Sequence, residues 1–147
     1  MQRQSKTFFR MDSSLPFLID IPRHKDARGN LSVVDFQTCL PFELKRVFYI
    51  YDIPAGIERG GHAHRELSQF IWTVSGTIRV FTIDRKGNQN DWLLQLPWQG
   101  LYIPQLTWAY ETSISAGCVY LVGASDYYNE DDYVRNKDDF YRLIEST

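Results

Sequence analysis

The sequence predicts an all-β fold, an antiparallel sandwich or barrel followed by one short C-terminal helix. Three observations carry this. Short apolar or alternating runs recur along most of the chain. Gly, Pro, Asn and Asp turns break them at short intervals, as in antiparallel sheets rather than βαβ units. Apolar spacing becomes helical only near the end, where Phe140, Leu143 and Ile144 stand at i, i+3 and i+4.

The runs follow in order. "FLIDIP" opens the pattern, and "HKDARGN" is a turn-rich break. "LSVVDF", "CLPFE" and "KRVFYIYDIP" come next, then the glycine-rich "AGIERGG". Past the histidines, "QFIWTVSG" and "TIRVFTID" alternate in the manner of half-buried strands. "RKGNQN" is a hairpin loop between "TIRVFTID" and "DWLLQL". "PWQG", "LYIP" and "CVYLVGAS" complete the set. The acidic, tyrosine-rich "SDYYNEDDYVR" is expected to wrap over a sheet edge, which would otherwise invite aggregation, before the helix in "NKDDFYRLIES".

A chain of 147 residues with 44% hydrophobic and 23% charged residues reads as one globular unit. We divide it into an N-terminal extension over 1–18 (an early strand or an unstructured stretch), a barrel over 19–125 and a C-terminal segment with the helix over 126–147. Aromatic residues reach 15%, which suits strands and the walls of pockets for flat or sugar-like ligands. The net charge of −2, with no basic block, argues against a nucleic-acid partner. It leaves room for a ligand with one or two phosphates held by a few arginines. Cys39 and Cys118 are too few for a disulfide scaffold and read as buried free thiols. No apolar run is long enough for a membrane span, and the N-terminus lacks a signal-peptide pattern, so the expectation is a cytoplasmic protein without a membrane partner.

Two of the three histidines, His62 and His64, lie one residue apart in "RGGHAHRELSQFIWTVSGTIRV". Strand side chains alternate between faces, so the two imidazoles share one face and Ala63 takes the other. Gly56, Gln69 and Gly76 stand around them at the spacing Gly-x5-His-x-His-x4-Glu-x6-Gly, with Gln69 in the place of the acid. This resembles the first motif of the cupin superfamily. The second, Gly-x5-Pro-x-Gly-x2-His, has a counterpart in "QGLYIPQLTWAY". There Pro104 fits, Leu106 stands at the glycine, Ala109 stands at the histidine, and Gly100 lies closer to the proline than the pattern asks.

A metal-binding cupin offers three imidazoles and a carboxylate. With Gln69 and Ala109 in two of those places, the donor set is poor for a divalent ion, and we expect no metal. Two imidazoles on one wall suit proton transfer near neutral pH instead. Surface or purely structural histidines are the plainer alternative.

Beyond the motif, "KRVFYIYDIPAGIERGGHAHRELSQFIWTVSGTIRV", "GLYIPQLTWAYE" and "YLVGASDYYNEDDYVRNKDDF" together resemble the sugar-nucleotide 3,4-ketoisomerases, from about Ile19 to Phe140. R-G-x-H-A-H and the tail Y-Y-x-E-x-D-Y-x-R are the most specific parts. The resemblance implies a cupin double-stranded β-helix (jelly roll), a homodimer, no cofactor or metal, and a thymidine-diphosphate-linked keto-deoxysugar as ligand. It carries catalytic roles onto His62 and His64 and a substrate-binding role onto Arg59. A Trp-His pair is usual in this family, and the chain reads Trp108-Ala109 there.

The implied reaction converts the 4-keto-6-deoxyglucose nucleotide to a 3-keto-6-deoxyhexose nucleotide, ready for amination. His62 is favoured as the base at C3, with His64 moving the second proton. Arg59, Gln69 or backbone N–H groups would hold the enediolate charge. Arg28 in the D-x-R-G of "KDARGN" either meets the diphosphate or is a solvated hairpin arginine. Arg79 either faces the ligand or faces solvent. Trp108 is a core aromatic or a stacking platform for sugar or base. An epimerase and a non-catalytic carbohydrate-binding cupin remain the alternative functions.

Overall fold

The computed structural model describes residues 11–147; the first ten residues of the expected N-terminal extension lie outside them. Twelve strands and one helix follow in order: β1 Phe17–Asp20, β2 Arg23–Asp26, β3 Gly29–Ser32, β4 Arg46–Ile53, β5 Glu58–His64, β6 Gln69–Ser75, β7 Ile78–Ile83, β8 Gln89–Leu94, β9 Gln99–Ile103, β10 Trp108–Ser113, β11 Cys118–Ala124, β12 Tyr133–Val134 and α1 Lys137–Glu145.

Two five-stranded antiparallel sheets, ordered β1-β9-β6-β11-β4 and β12-β5-β10-β7-β8, pack on each other as a jelly roll. Their inner faces supply one core of Ile71, Leu101, Ile103, Tyr120 and Val122 from the first sheet and Ile78, Val80, Leu94 and Ala109 from the second. Alternation does the sorting. Along β6, Ile71 enters this core while Phe70 and Trp72 point outward into a second cluster with Phe17, Ile19, Tyr102, Cys39 and Leu40. "CLPFE" is thus no strand but a cover over the outer face of the first sheet.

The hairpin read in "RKGNQN" joins β7 to β8, and the Asp84 carboxylate accepts from the backbone N–H of Lys86 and Asn88. "HKDARGN" holds more structure than a turn: β2 and β3 form a separate two-stranded sheet, exposed along its whole length. The sequence pattern does not mark "WAYETS" as a strand, yet β10 lies at the centre of its sheet. Both of its faces carry buried or half-buried residues, so the period-two contrast that marks a surface strand is absent.

The helix forms where its spacing predicts. The Asn136 side chain caps it by accepting from the N–H groups of Asp138 and Asp139, and Phe140 is fully buried. Phe140 packs with Ala63, Ile83, Trp108 and Val134 on the outer face of the second sheet. This third cluster pins β12 against β5, where Tyr133 pairs with His64 and Val134 with Ala63. The tail does wrap a sheet edge, and it does so beside the two histidines.

Phe140→Ala is expected to cost about 3–5 kcal/mol, the usual range for emptying a buried aromatic site. Urea unfolding followed by tryptophan fluorescence measures it.

Candidate active site

β5 presents the imidazoles because two glycines precede them. Gly60 and Gly61 adopt φ of 87° and 82°, and the register against β10 shifts between Ala109 and Tyr110. A Cβ on Gly60 would lie 2.8 Å from Glu111 Oε2, so the bulge needs glycine for space as well as for backbone angle. Beyond the bulge, His62 stands opposite Ala109 on one side, and His64 stands opposite Tyr133 on the other. Both rings face the barrel interior. Their centroids are 5.0 Å apart and nearly perpendicular.

His64 is 5% exposed. Its Nδ1 lies 2.9 Å from Asp132 Oδ2, so Nδ1–H donates to the carboxylate. Nε2 is buried with no hydrogen-bond partner among the described residues. Burial lowers the His64 pKa below its ordinary 6.5, against the Asp132 hydrogen bond, which raises it. Nearby Arg46 and Arg135 lower it further. The His62 pKa is pushed down to about 4 by burial first, then by His64 and Arg135, with Glu130 opposing. At neutral pH both imidazoles are uncharged, and the Asp132 contact fixes His64 in the tautomer whose Nε2 lone pair faces the interior.

The C-terminal segment builds the adjoining wall. Asp132 is held by three groups: its carbonyl accepts from Arg65 N–H, Oδ1 accepts from Glu66 N–H, and Oδ2 takes His64. The Tyr133 ring lies 4.9 Å from His62 and 4.4 Å from His64. Arg135 stacks 4.3 Å over Tyr133 and donates to both oxygens of Glu130, whose carboxyl is held down to about 2.

Gln69 opens β6 on the inward phase shared with Ile71, level with Ala124 of β11. Ala124 in turn pairs with Arg46 of β4. Farther along the interior, Glu111 pairs with Arg59. Burial pushes the Glu111 carboxyl up to about 7, with Arg59 opposing. Burial and then Glu111 raise the Tyr120 hydroxyl, while an Arg59 contact lowers it.

The expected residues therefore divide. His62, His64 and Gln69 gather at one end of the interior, and Arg59 lies along the same strand beside Glu111 and Tyr120. For three residues the sequence leaves two readings open, and each lies outside this interior. Arg28 sits on the exposed β2–β3 hairpin, its side chain 90% exposed and ion-paired with Asp26 at 2.6 Å. Arg79 points to the outer, exposed face of β7, out of phase with buried Ile78 and Val80. Trp108 also faces outward, packed against Phe140 at 5.9 Å under α1, because its neighbour Ala109 takes the inward phase. Leu106, placed at the motif glycine, holds φ of 59° and donates its N–H to the His64 carbonyl. Glycine is the residue that favours such an angle.

Arg46, Glu111, Asp132 and Tyr133 were not singled out from the sequence. Arg46 could have been found from its inward phase with Phe48 and Ile50. Asp132 and Tyr133 lie in the quoted Y-Y-x-E-x-D-Y-x-R tail, but only tertiary pairing shows which of its acids meets an imidazole. Among the described residues, no three His, Cys, Asp or Glu side chains converge as metal ligands.

Known proteins were then compared with this geometry. The family described as "FdtA: WxcM-like, C-terminal" matches residues 14–145. The TDP-4-oxo-6-deoxy-alpha-D-glucose-3,4-oxoisomerase of Aneurinibacillus thermoaerophilus is 37% identical over 127 residues, 86% of this chain and 91% of that protein. The sugar 3,4-ketoisomerase QdtA of Thermoanaerobacterium thermosaccharolyticum, solved in complex with TDP, superposes with a TM-score of 0.82 at 32% identity, covering 89% of this chain and 95% of that one. A histidine-to-asparagine variant of QdtA, solved in complex with TDP-4-keto-6-deoxyglucose, superposes with the same TM-score of 0.82 at 32% identity, covering 89% and 94%. The WlaRB TDP-quinovose 3,4-ketoisomerase of Campylobacter jejuni gives 0.80 at 36% identity, covering 86% and 97%. By family match, sequence and fold, this chain belongs to the FdtA family of WxcM-like, C-terminal proteins, whose relatives here are TDP-sugar 3,4-ketoisomerases.

Proposed function

We propose that this protein is a metal-independent isomerase that converts TDP-4-keto-6-deoxyglucose to a TDP-3-keto-6-deoxyhexose in deoxyaminosugar biosynthesis. The observation that carries the chemistry is the pair of uncharged, inward-facing imidazoles, one of them oriented by a carboxylate. The C4 ketone acidifies the C3 hydrogen. A base takes that proton, the C3–H electron pair becomes a C3–C4 double bond, and charge collects on the C4 oxygen. Return of a proton to C4, with movement of the C3 hydroxyl proton, leaves the ketone at C3. Every atom is conserved, and the reaction needs no oxidant.

The sequence favoured His62 as the base. The Asp132 contact supports exchanging the roles. The carboxylate keeps the His64 Nε2 lone pair available and stabilises the imidazolium as it forms. His62, with a pKa near 4, is the weaker base and suits relay of the hydroxyl proton between the C3 and C4 oxygens. Gln69 stands within the same interior end, and Arg59 is proposed to meet the substrate farther along β5.

We propose further that the enzyme is a cytoplasmic homodimer. The β2–β3 hairpin is exposed along its length, and a two-stranded sheet alone is marginal in water. Val47, Tyr49 and Tyr51 form an exposed apolar row on the outer face of edge strand β4. Both features support a partner surface. Light scattering is expected to give twice the mass of the 17.3 kDa chain. A monomer at micromolar concentration removes the dimer from this reading.

Turnover is expected to survive EDTA unchanged, measured as product formed by NMR. In deuterated water, wild type should exchange C3 and label C4. His64→Asn should abolish C3 exchange, whereas His62→Asn should retain it and slow product formation by about 10²–10⁴. The opposite pattern returns the base role to His62, and full activity in both variants removes the histidines from the chemistry.

The base works uncharged, and the native pKa of each imidazole lies below 6.5. The acid limb of kcat/KM is therefore expected below pH 6.5, because protonation removes the lone pair only once pH falls through the lowered pKa. A limb at or above 6.5 contradicts this.

A further inference from the structure

Arg46 opens β4 with its side chain on the inward phase of Phe48 and Ile50. Its Nε and Nη2 are buried and have no hydrogen-bond partner among the described residues. The guanidinium carbon lies 5.4 Å from the Phe48 ring centroid and 5.9 Å from that of Tyr128, so its neighbours are aromatic faces rather than a carboxylate. Burying N–H donors without an acceptor is costly, and a protein keeps such groups where something else completes them.

The surroundings define what completes it. Arg46, Ala124 and Gln69 form one cross-strand row over β4, β11 and β6, and the alanine between the two polar side chains leaves space. The guanidinium is close enough to His64 to depress its pKa. The Nε2 of His64 is itself buried and unpartnered. Two orphan donors and one orphan acceptor thus gather at the same end of the barrel. They fit an oxygen that gains negative charge beside a carbon that loses a proton. Arg59, the arginine favoured from the sequence, already has Glu111 and Tyr120 for company.

We propose that Arg46 is the oxyanion-holding residue of this enzyme, donating from Nε and Nη2 to the C4 oxygen as the C3 proton passes to the histidine pair. The inference rests on the ketoisomerase reading above. As the C3–H bond breaks, its electron pair forms the C3–C4 double bond and the former carbonyl pair settles on oxygen, where the guanidinium meets it. The same donors serve the ground-state ketone less well, so the contact acts on kcat more than on KM.

The test uses full-length protein with Arg46→Met, Arg46→Lys and Arg46→Ala, read by C3 exchange in deuterated water, by melting temperature and by NMR titration of His64. Arg46→Met should lower kcat by about 10²–10³ with a much smaller change in KM. Arg46→Lys should retain part of the activity, and added guanidinium ion should restore part of it to Arg46→Ala. The melting temperature should hold or rise, since two buried, unpartnered N–H groups are removed. The groups facing His64 are His62 on β5, Asp132 and Tyr133 from the tail, Arg135 and Arg46. With the other four unchanged, Arg46→Met should raise the His64 pKa. A variant that keeps kcat within threefold of an exchanging wild type overturns this inference alone, as does an unmoved His64 titration. Absence of exchange in the wild type overturns the ketoisomerase reading as well.

Discussion

The contact between His64 and Asp132 is the interaction on which the site depends. It joins a barrel strand to a segment 68 residues further along the chain. Burial alone would leave the imbedded imidazole free to adopt either tautomer, and the carboxylate selects one. The carboxylate in turn is not free to wander. The Glu66 backbone N–H donates to its other oxygen, the Arg65 N–H holds the Asp132 carbonyl, β12 pairs with β5, and the Phe140 cluster clamps the pair from outside. A single turn of tail therefore sets the chemical state of a barrel side chain.

The apolar interior gives that contact its strength. Charges and dipoles act at longer range where water is excluded, and the end of the barrel is lined by Ile71, Ile103, Val122 and two alanines. Ala109 belongs to this lining. A histidine there would meet His62 across the ladder, and the methyl group instead continues the greasy wall. The same desolvation that lowers both imidazoles pushes the Glu111 carboxyl up, so the interior carries its polar groups only at particular rows.

Much of this was legible in the sequence. Strand alternation and turn residues indicated an antiparallel sheet protein, and the H-x-H spacing put His62 and His64 on one wall with Gln69 close by. The helix was readable from Phe140, Leu143 and Ile144. What the sequence left open was phase and partnership. Arg79 lies in its strand on the outward beat, and β10, which Trp108 opens, concealed both its existence and its phase because both of its faces are covered. Arg28 was read through a local motif, and the hairpin that bears it stands apart from the barrel. Asp132 lies in a tail with many acids, and no local rule distinguishes the one that reaches β5 from those that meet solvent.

The position of β12 has a consequence for folding. All the strands that supply the barrel core precede it in the chain, so the core can pair before the tail docks. During that interval the interior already holds its imidazoles, but His64 has neither its carboxylate nor its aromatic wall. The last segment of the chain therefore completes the surroundings of His64, and loosening that segment alone would release the imidazole while the strands of the core stay paired.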